Sequence, residues 1–204
     1  MHLSFTSFLY RILIDPVLSQ LHQTILAEIK PSDKVIDVAC GTGSLSLAIA
    51  KRARSVMGID LSEEMLGSAR RSANKRSVCN AGFIVLDASE MKIFRDKEFN
   101  IAVTSMAVHQ FDAEVALKVL SEMKRIATGI VIVDYNYPLP GRFYKWLVNT
   151  IESLAGGDHY RNFKLYMKNG GISHFINLSG LVVKSQTVKG NGIFLINVCE
   201  RPAK

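Results

Sequence analysis

The residues best placed to do chemistry are two glycines set into an apolar run and a series of carboxylates that close later apolar runs. The stretch VIDVACGTGSLSLAIA, Val35–Ala50, breaks at Gly41-Thr42-Gly43 and then resumes. Glycine lets a backbone turn tightly and approach a ligand without Cβ interference. A helix beginning near Ser44 would turn its free N–H groups toward the same place. Asp60 stands 17 residues beyond Gly43, where a carboxylate can accept both vicinal hydroxyls of an adenosine ribose. A dinucleotide fingerprint would want a third glycine at position 46, and the residue there is Ser46. That loosens the dinucleotide reading without identifying the ligand.

The elements that must position these residues alternate. After a helix over Pro16–Glu28, strands are expected at Lys34–Ala39, Val56–Asp60, Phe83–Asp87, Ile101–Ser105 and Gly129–Asp134. Helices fall between them at Ser44–Arg54, Ser62–Arg76 and from Asp112 to Arg125. Ser62 and Asp112 are the residue types that cap helices, and Glu63 and Glu64 suit the positive dipole end. Strands and helices alternating at this length imply a parallel sheet covered on both sides. Right-handed crossovers then put every strand's C-terminal end on one rim. There Asp37, Asp60, Asp87 and Asp134 would line a single crevice beside Ser105.

Beyond residue 140 the pattern changes. Arg142–Leu154 reads as an amphipathic helix, and a second helical region from His159 to Leu178 is interrupted at Gly170-Gly171. Leu181–Val188, the turn Lys189–Gly192 and Ile193–Cys199 read as a hairpin. The fold class expected is α/β: a Rossmann-like, doubly wound seven-stranded sheet, with five parallel strands, a C-terminal antiparallel hairpin and helices on both faces. Residues 1–204 then form one domain. It divides into an N-terminal helical flap (1–30), a ligand-binding core (31–135), a helical cover (136–180) and the hairpin (181–200).

Bulk properties narrow the function classes. With 204 residues, 48% of them apolar, the chain can bury a sizeable core. No apolar run approaches the ~20 residues that cross a bilayer. The stretch LSFTSFLYRILI lacks a basic leader and is interrupted by Arg11, so no signal peptide is expected. Its Phe5, Phe8, Leu9 and Ile12 repeat at helical spacing, as in a docked flap. Three cysteines without CxxC spacing argue for reduced thiols and a cytoplasmic home. The five histidines and three cysteines form no ligand cluster at the level of spacing, so no metal is expected. The net charge of +7 raises the question of nucleic acid. Yet its dense clusters, Lys51–Arg54, Arg70-Arg71 and Lys75-Arg76, fall near helix ends on the face away from the crevice. Neither nucleic-acid binding nor membrane insertion is therefore expected.

Taken together, the segments VIDVACGTG, GIDLSEEML (Gly58–Leu66), FIVLDASEM (Phe83–Met91) and FNIAVTSMAVHQF (Phe99–Phe111), in that order, resemble the class I S-adenosylmethionine-dependent methyltransferases. IVIVDYNYP and the closing hairpin extend the resemblance over about residues 30 to 199. The general likeness is to the quinone-biosynthesis and related small-molecule branch, which shares the DVACGTG loop. The resemblance implies S-adenosylmethionine as cofactor. Ala39, Gly41 and Gly43 would flank its methionine moiety, with Asp37 beneath the loop. Asp60 would hold the ribose, Asp87 and Ala88 would meet the adenine, Leu61 and Met65 would pack near the adenosine, and Ser105 and Met106 would lie near the sulfonium. For Asp37, satisfying loop amides is as good a reading as touching the ligand.

A sulfonium methyl is already activated, so the protein mainly aligns an acceptor in line with the S–CH3 bond. A base is needed only for an acidic O–H, N–H or C–H. His109, just after the fourth strand, is the candidate catalytic base, the alternative being that it packs in the loop before Asp112. His159 and Tyr160 could face the pocket or serve as a capping arrangement. The Asn- or Asp-Pro-Pro-aromatic tetrad of amine-directed methyltransferases is replaced by Thr104-Ser105-Met106-Ala107, and the paired cysteines of cytosine C5 enzymes are missing. Aromatic residues gather in the first segment and after the fifth strand, among them Tyr137, Phe143, Trp146 and Phe163. They fit a lid over a hydrophobic small molecule. The expected function is methyl transfer to a small, apolar or aromatic acceptor. The alternatives are methylation of RNA or protein, or a non-catalytic S-adenosylmethionine-binding module; an NAD-dependent reductase fits least.

Overall fold

The computed structural model describes residues 15–202; the flap residues Phe5, Phe8, Leu9 and Ile12 lie outside them. Its elements run α1 (Asp15–Ala27), β1 (Lys34–Val38), α2 (Ser44–Ala50), β2 (Ser55–Asp60), α3 (Glu63–Lys75), β3 (Ala81–Val85) and β4 (Phe99–Ser105). A 3-10 turn (Val108–Gln110) then leads into α4 (Ala113–Ile126) and β5 (Ala127–Tyr135). The chain closes with α5 (Gly141–Ala155), α6 (Gly157–Lys168), α7 (Ile172–Ser179), β6 (Val182–Lys189) and β7 (Phe194–Glu200).

The strands form one seven-stranded sheet in the order β3-β2-β1-β4-β5-β7-β6. β1 to β5 are mutually parallel, and β7 runs antiparallel to both β5 and β6. Successive residues of a strand face opposite sides of a sheet. Val35, Ile36, Asp37 and Val38 are all buried, so β1 is covered on both faces. Its neighbours in the core include Ile59, Val103, Ile130 and Leu120, none more than 1% exposed. Each fully buried aliphatic side chain of this kind contributes about 1.5–3 kcal/mol relative to exposure.

Local chemistry sets the helix boundaries. Ser62 Oγ accepts the Met65 N–H and opens α3, and Asp112 accepts the Glu114 N–H and opens α4. The helix expected over Ser44–Arg54 stops at Ala50, and Lys51–Arg54 form the turn into β2. β3 ends at Val85 rather than Asp87, which leaves Asp87 on the loop beyond it. The cover divides into three helices because Gly156, Gly170 and Gly171 all take positive φ values (69°, 104° and 69°) that interrupt α-helical backbone. No helix among the described residues is long and apolar enough to cross a membrane.

Candidate functional site

β1 lies between β2 and β4, so the strand order reverses there and a crevice opens above the strands' C-terminal ends. A cavity of about 850 Å³ occupies this place, within the ~300–1,000 Å³ usual for small-molecule sites. Of the residues singled out from the sequence, Asp37, Ala39, Gly41, Asp60, Leu61, Met65, Asp87, Ala88, Ser105 and Met106 line it.

The glycine loop is tied down from two sides. Asp60 accepts the Gly41 N–H through Oδ2 (2.8 Å) and the Ser62 N–H through Oδ1 (2.9 Å). Below, Asp37 is 1% exposed and accepts a hydrogen bond from Ser46 Oγ. Burial pushes the Asp37 carboxyl up to about 7, against the lowering effect of the Ser46 bonds. Gly41 has φ +54°, and a Cβ built on it would meet nothing within 4 Å. Its open side is the cavity. Ala39 and Met106, just after β1 and β4, share a φ of 58°, a conformation that costs a non-glycine residue roughly 1–3 kcal/mol and clusters at ligand sites. Both are cavity walls.

At the mouth, Leu61 and Met65 are exposed apolar side chains (68% and 45%). Asp87 is exposed, and its Oδ1 accepts both the N–H and the Oγ–H of Ser89, so its partner is a neighbour in the chain. The Ser89 bonds hold its carboxyl below the usual range.

Other expectations are relocated by the fold. Gly43 is not among the walls: a Cβ there would lie 2.8 Å from both Ala69 Cβ and the Phe83 ring. It serves close packing against α3 and β3. Asp134 does not reach the crevice either; it is fully buried and bound to His109. No residue of 136–180 lines the cavity, so the cover expected on the acceptor side packs elsewhere. Phe163 and Tyr166 are core, while Phe143 and Trp146 face outward.

His109 is 1% exposed and also absent from the walls. Its Nδ1 is 2.7 Å from Asp134 Oδ1, and its backbone N–H donates to Asp134 Oδ2. Its Nε2 makes no hydrogen bond among the described residues and faces Glu152 Oε2 at 3.5 Å. Glu152 in turn accepts from Tyr135 Oη at Oε1 (2.6 Å) and contacts His159 Nε2 at Oε2 (2.5 Å). Burial would lower the imidazole pKa, but Asp134 and Glu152 outweigh it and hold it up at about 9. The reverse holds for Glu152: burial raises it, and His109, Tyr135 and His159 bring it down to about 2. His109, Glu152 and His159 thus converge although their sequence spacing gave no sign of a cluster.

Several walls had no sequence signal. Val115 and Val119 read as the core stripe of a helix, and Phe111 and Gln110 as its lead-in. His22, on α1, also lines the cavity, and burial lowers its pKa. The imidazole is therefore neutral at pH 7. The Cys40 thiol, another lining group, is pushed far up by burial and by Asp37 and Asp60, so it stays protonated.

Residues 35–128 match the family described as a methyltransferase domain. The chain is 27% identical to the ubiquinone/menaquinone biosynthesis C-methyltransferase of Rickettsia prowazekii, the match covering 74% of each chain. It is 32% identical over 69 residues to a 23S rRNA (uracil(1939)-C(5))-methyltransferase of Xanthomonas campestris, a match spanning 16% of that protein's length. Its fold superposes with a TM-score of 0.72 on the magnesium protoporphyrin IX methyltransferase of Synechocystis PCC 6803, a structure with bound SAH. That match covers 99% of this chain and 90% of the other at 16% identity.

Proposed function

We propose that this chain is a class I S-adenosylmethionine-dependent methyltransferase, a reading its methyltransferase-domain match supports, and that it passes the methyl group to a small, apolar or aromatic acceptor. Residues in the crevice suit the cofactor. Gly41 leaves open space where backbone must approach a ligand, and Asp60 keeps lone pairs for two ribose hydroxyls after accepting from Gly41 and Ser62. Ala39, Ser105 and Met106 sit at the ends of the two central strands, where the methionine and sulfonium portions belong in this reading. Leu61, Met65 and Ala88 offer apolar faces to an adenine. The cofactor supplies an activated methyl group; the protein's part is alignment, worth about 7–11 kcal/mol when the approach is fixed.

One observation carries the acceptor class. The cavity continues from the glycine loop to an apolar wall of Phe111, Val115 and Val119, and among the described residues no Lys or Arg lines it. An RNA acceptor needs cations for its phosphates. Of the basic clusters, Arg70 is paired to Glu63 and Arg52 is bonded to the Ile29 carbonyl. Similarity to the quinone-biosynthesis enzyme over most of both chains supports the same reading. Where the acceptor must lose a proton, His22 is the neutral imidazole lining the cavity and, rather than the buried His109, is placed to take it. The three free cysteines fit a cytoplasmic setting.

The test is transfer of labelled methyl from S-adenosylmethionine into small-molecule, RNA and protein fractions of a cell extract. Label is expected in the small-molecule fraction. Label only in RNA or protein overturns the acceptor class, and tight binding without transfer to any fraction makes the chain a binding module.

A further inference from the structure

We propose that His109, Glu152 and His159 form a binding site for one divalent transition-metal ion of the zinc class, separate from the cofactor crevice. Their ligand atoms all lie within 4.8 Å of one another. Three separate segments supply them: the 3-10 turn after β4, α5 and α6. The decisive observation is His109 Nε2, which is buried with no hydrogen bond among the described residues. Asp134 fixes the other ring nitrogen at 2.7 Å, so the ring presents Nε2 to Glu152 and His159.

That is the carboxylate–histidine–metal arrangement, in which the outer carboxylate sets tautomer and ring orientation. Glu152 is similarly steadied by the Tyr135 hydroxyl. Two imidazoles and a carboxylate select zinc-like ions over magnesium or calcium. Charge is compatible with this: Asp134 and Glu152 are both buried, an imidazolium at His109 offsets only one of them, and a divalent ion that displaces the Nε2 proton to water offsets both. The short His159–Glu152 contact must open and the 3.5 Å His109–Glu152 gap close slightly, toward the about 3.3 Å between ligands on one tetrahedral ion. His159, partly exposed, provides the entry side, and water supplies the fourth ligand. Once bound, the ion would clamp α5 and α6 onto the turn that follows Ser105 and Met106.

The full chain, stripped by chelator, is titrated with Zn2+ and Co2+. One ion per chain is expected, with the visible absorption of four-coordinate cobalt and a rise in Tm on adding zinc. His159→Ala should lower the affinity at least 100-fold and abolish the Tm rise, whereas His159→Cys should retain zinc and His174→Ala should leave binding unchanged. Because His159 is partly exposed, the alanine variant is expected to fold, and its circular dichroism checks this. Failure of the wild-type chain to bind either ion, or binding undiminished in folded His159→Ala, overturns the site. None of these readouts depends on methyl transfer, so the result stands apart from the enzymatic reading.

Discussion

Ser46 donates its hydroxyl proton to Asp37 in the fully buried space beneath the glycine loop. The position at which a dinucleotide fingerprint would place glycine therefore holds the partner of an interior carboxyl. Burial lifts that carboxyl from 3.8 to about 7. A raised folded-state pKa means the folded state binds the extra proton. Its stabilising contribution is full below the unfolded value of 3.8 and is lost as pH rises through about 7. Asp37→Asn keeps an acceptor for Ser46 and removes the titration. Its Tm advantage over wild type should grow by several degrees between pH 4 and pH 7.5 and then level off. A difference independent of pH would mean Asp37 does not titrate in the fold.

The same proton gives ligand binding the opposite trend. A cationic cofactor favours ionised Asp37, so binding expels a proton and affinity rises with pH. Calorimetric Kd for S-adenosylmethionine should fall between pH 5.5 and 7.5, by up to tenfold per unit. Measured heats should vary with the buffer's ionisation enthalpy. Asp37→Asn should flatten both effects.

The sequence displayed the sheet, its order of elements and most of one wall of the crevice because these obey local rules. Apolar runs of strand length, caps at Ser62 and Asp112, and carboxylates at strand ends can all be read along the chain. What it could not display was side-chain direction across elements. Asp134 ends an apolar run just as Asp60 does, yet one is sealed against His109 and the other opens on the cavity. Glu152 and His159 lie 43 and 50 residues beyond His109, and only the packing of α5 and α6 unites them. His22 and Val119 carried nothing to distinguish them from ordinary helix residues.

Gly41 and Gly43, two residues apart, should fail in different ways when changed to alanine. At Gly43 the new methyl meets Ala69 and Phe83 at 2.8 Å, with φ at +71°. Gly43→Ala should therefore lower stability by about 1–3 kcal/mol, seen as a drop in Tm. At Gly41 the methyl meets no protein atom and the left-handed backbone costs about 1–2 kcal/mol. Gly41→Ala should stay folded while losing at least tenfold in S-adenosylhomocysteine affinity. Equal binding losses from equally stable variants would contradict this division.

Asp60 serves both loop and ligand. Asp60→Ala leaves the Gly41 and Ser62 N–H groups without their acceptor, a cost of about 1–3 kcal/mol each when water cannot replace it. Tm should fall by several degrees, and S-adenosylhomocysteine affinity by 100-fold or more. Unchanged affinity would mean the ribose is not held here.

His22 separates a proton acceptor from a passive wall. It lines the cavity, and burial keeps its imidazole neutral at pH 7, the form a general base requires. His109, by contrast, faces Glu152 and is walled off from the crevice. For an acceptor that must give up an O–H, N–H or C–H proton, His22→Ala should lower kcat by about 100-fold or more. S-adenosylhomocysteine affinity should change less than threefold. In wild type the rate should rise with pH through an acidic limb, because protonating His22 removes the base, and the variant should lose that limb. If His22→Ala instead weakens binding and leaves kcat and its pH profile intact, His22 only shapes the cavity, and alignment alone carries the reaction.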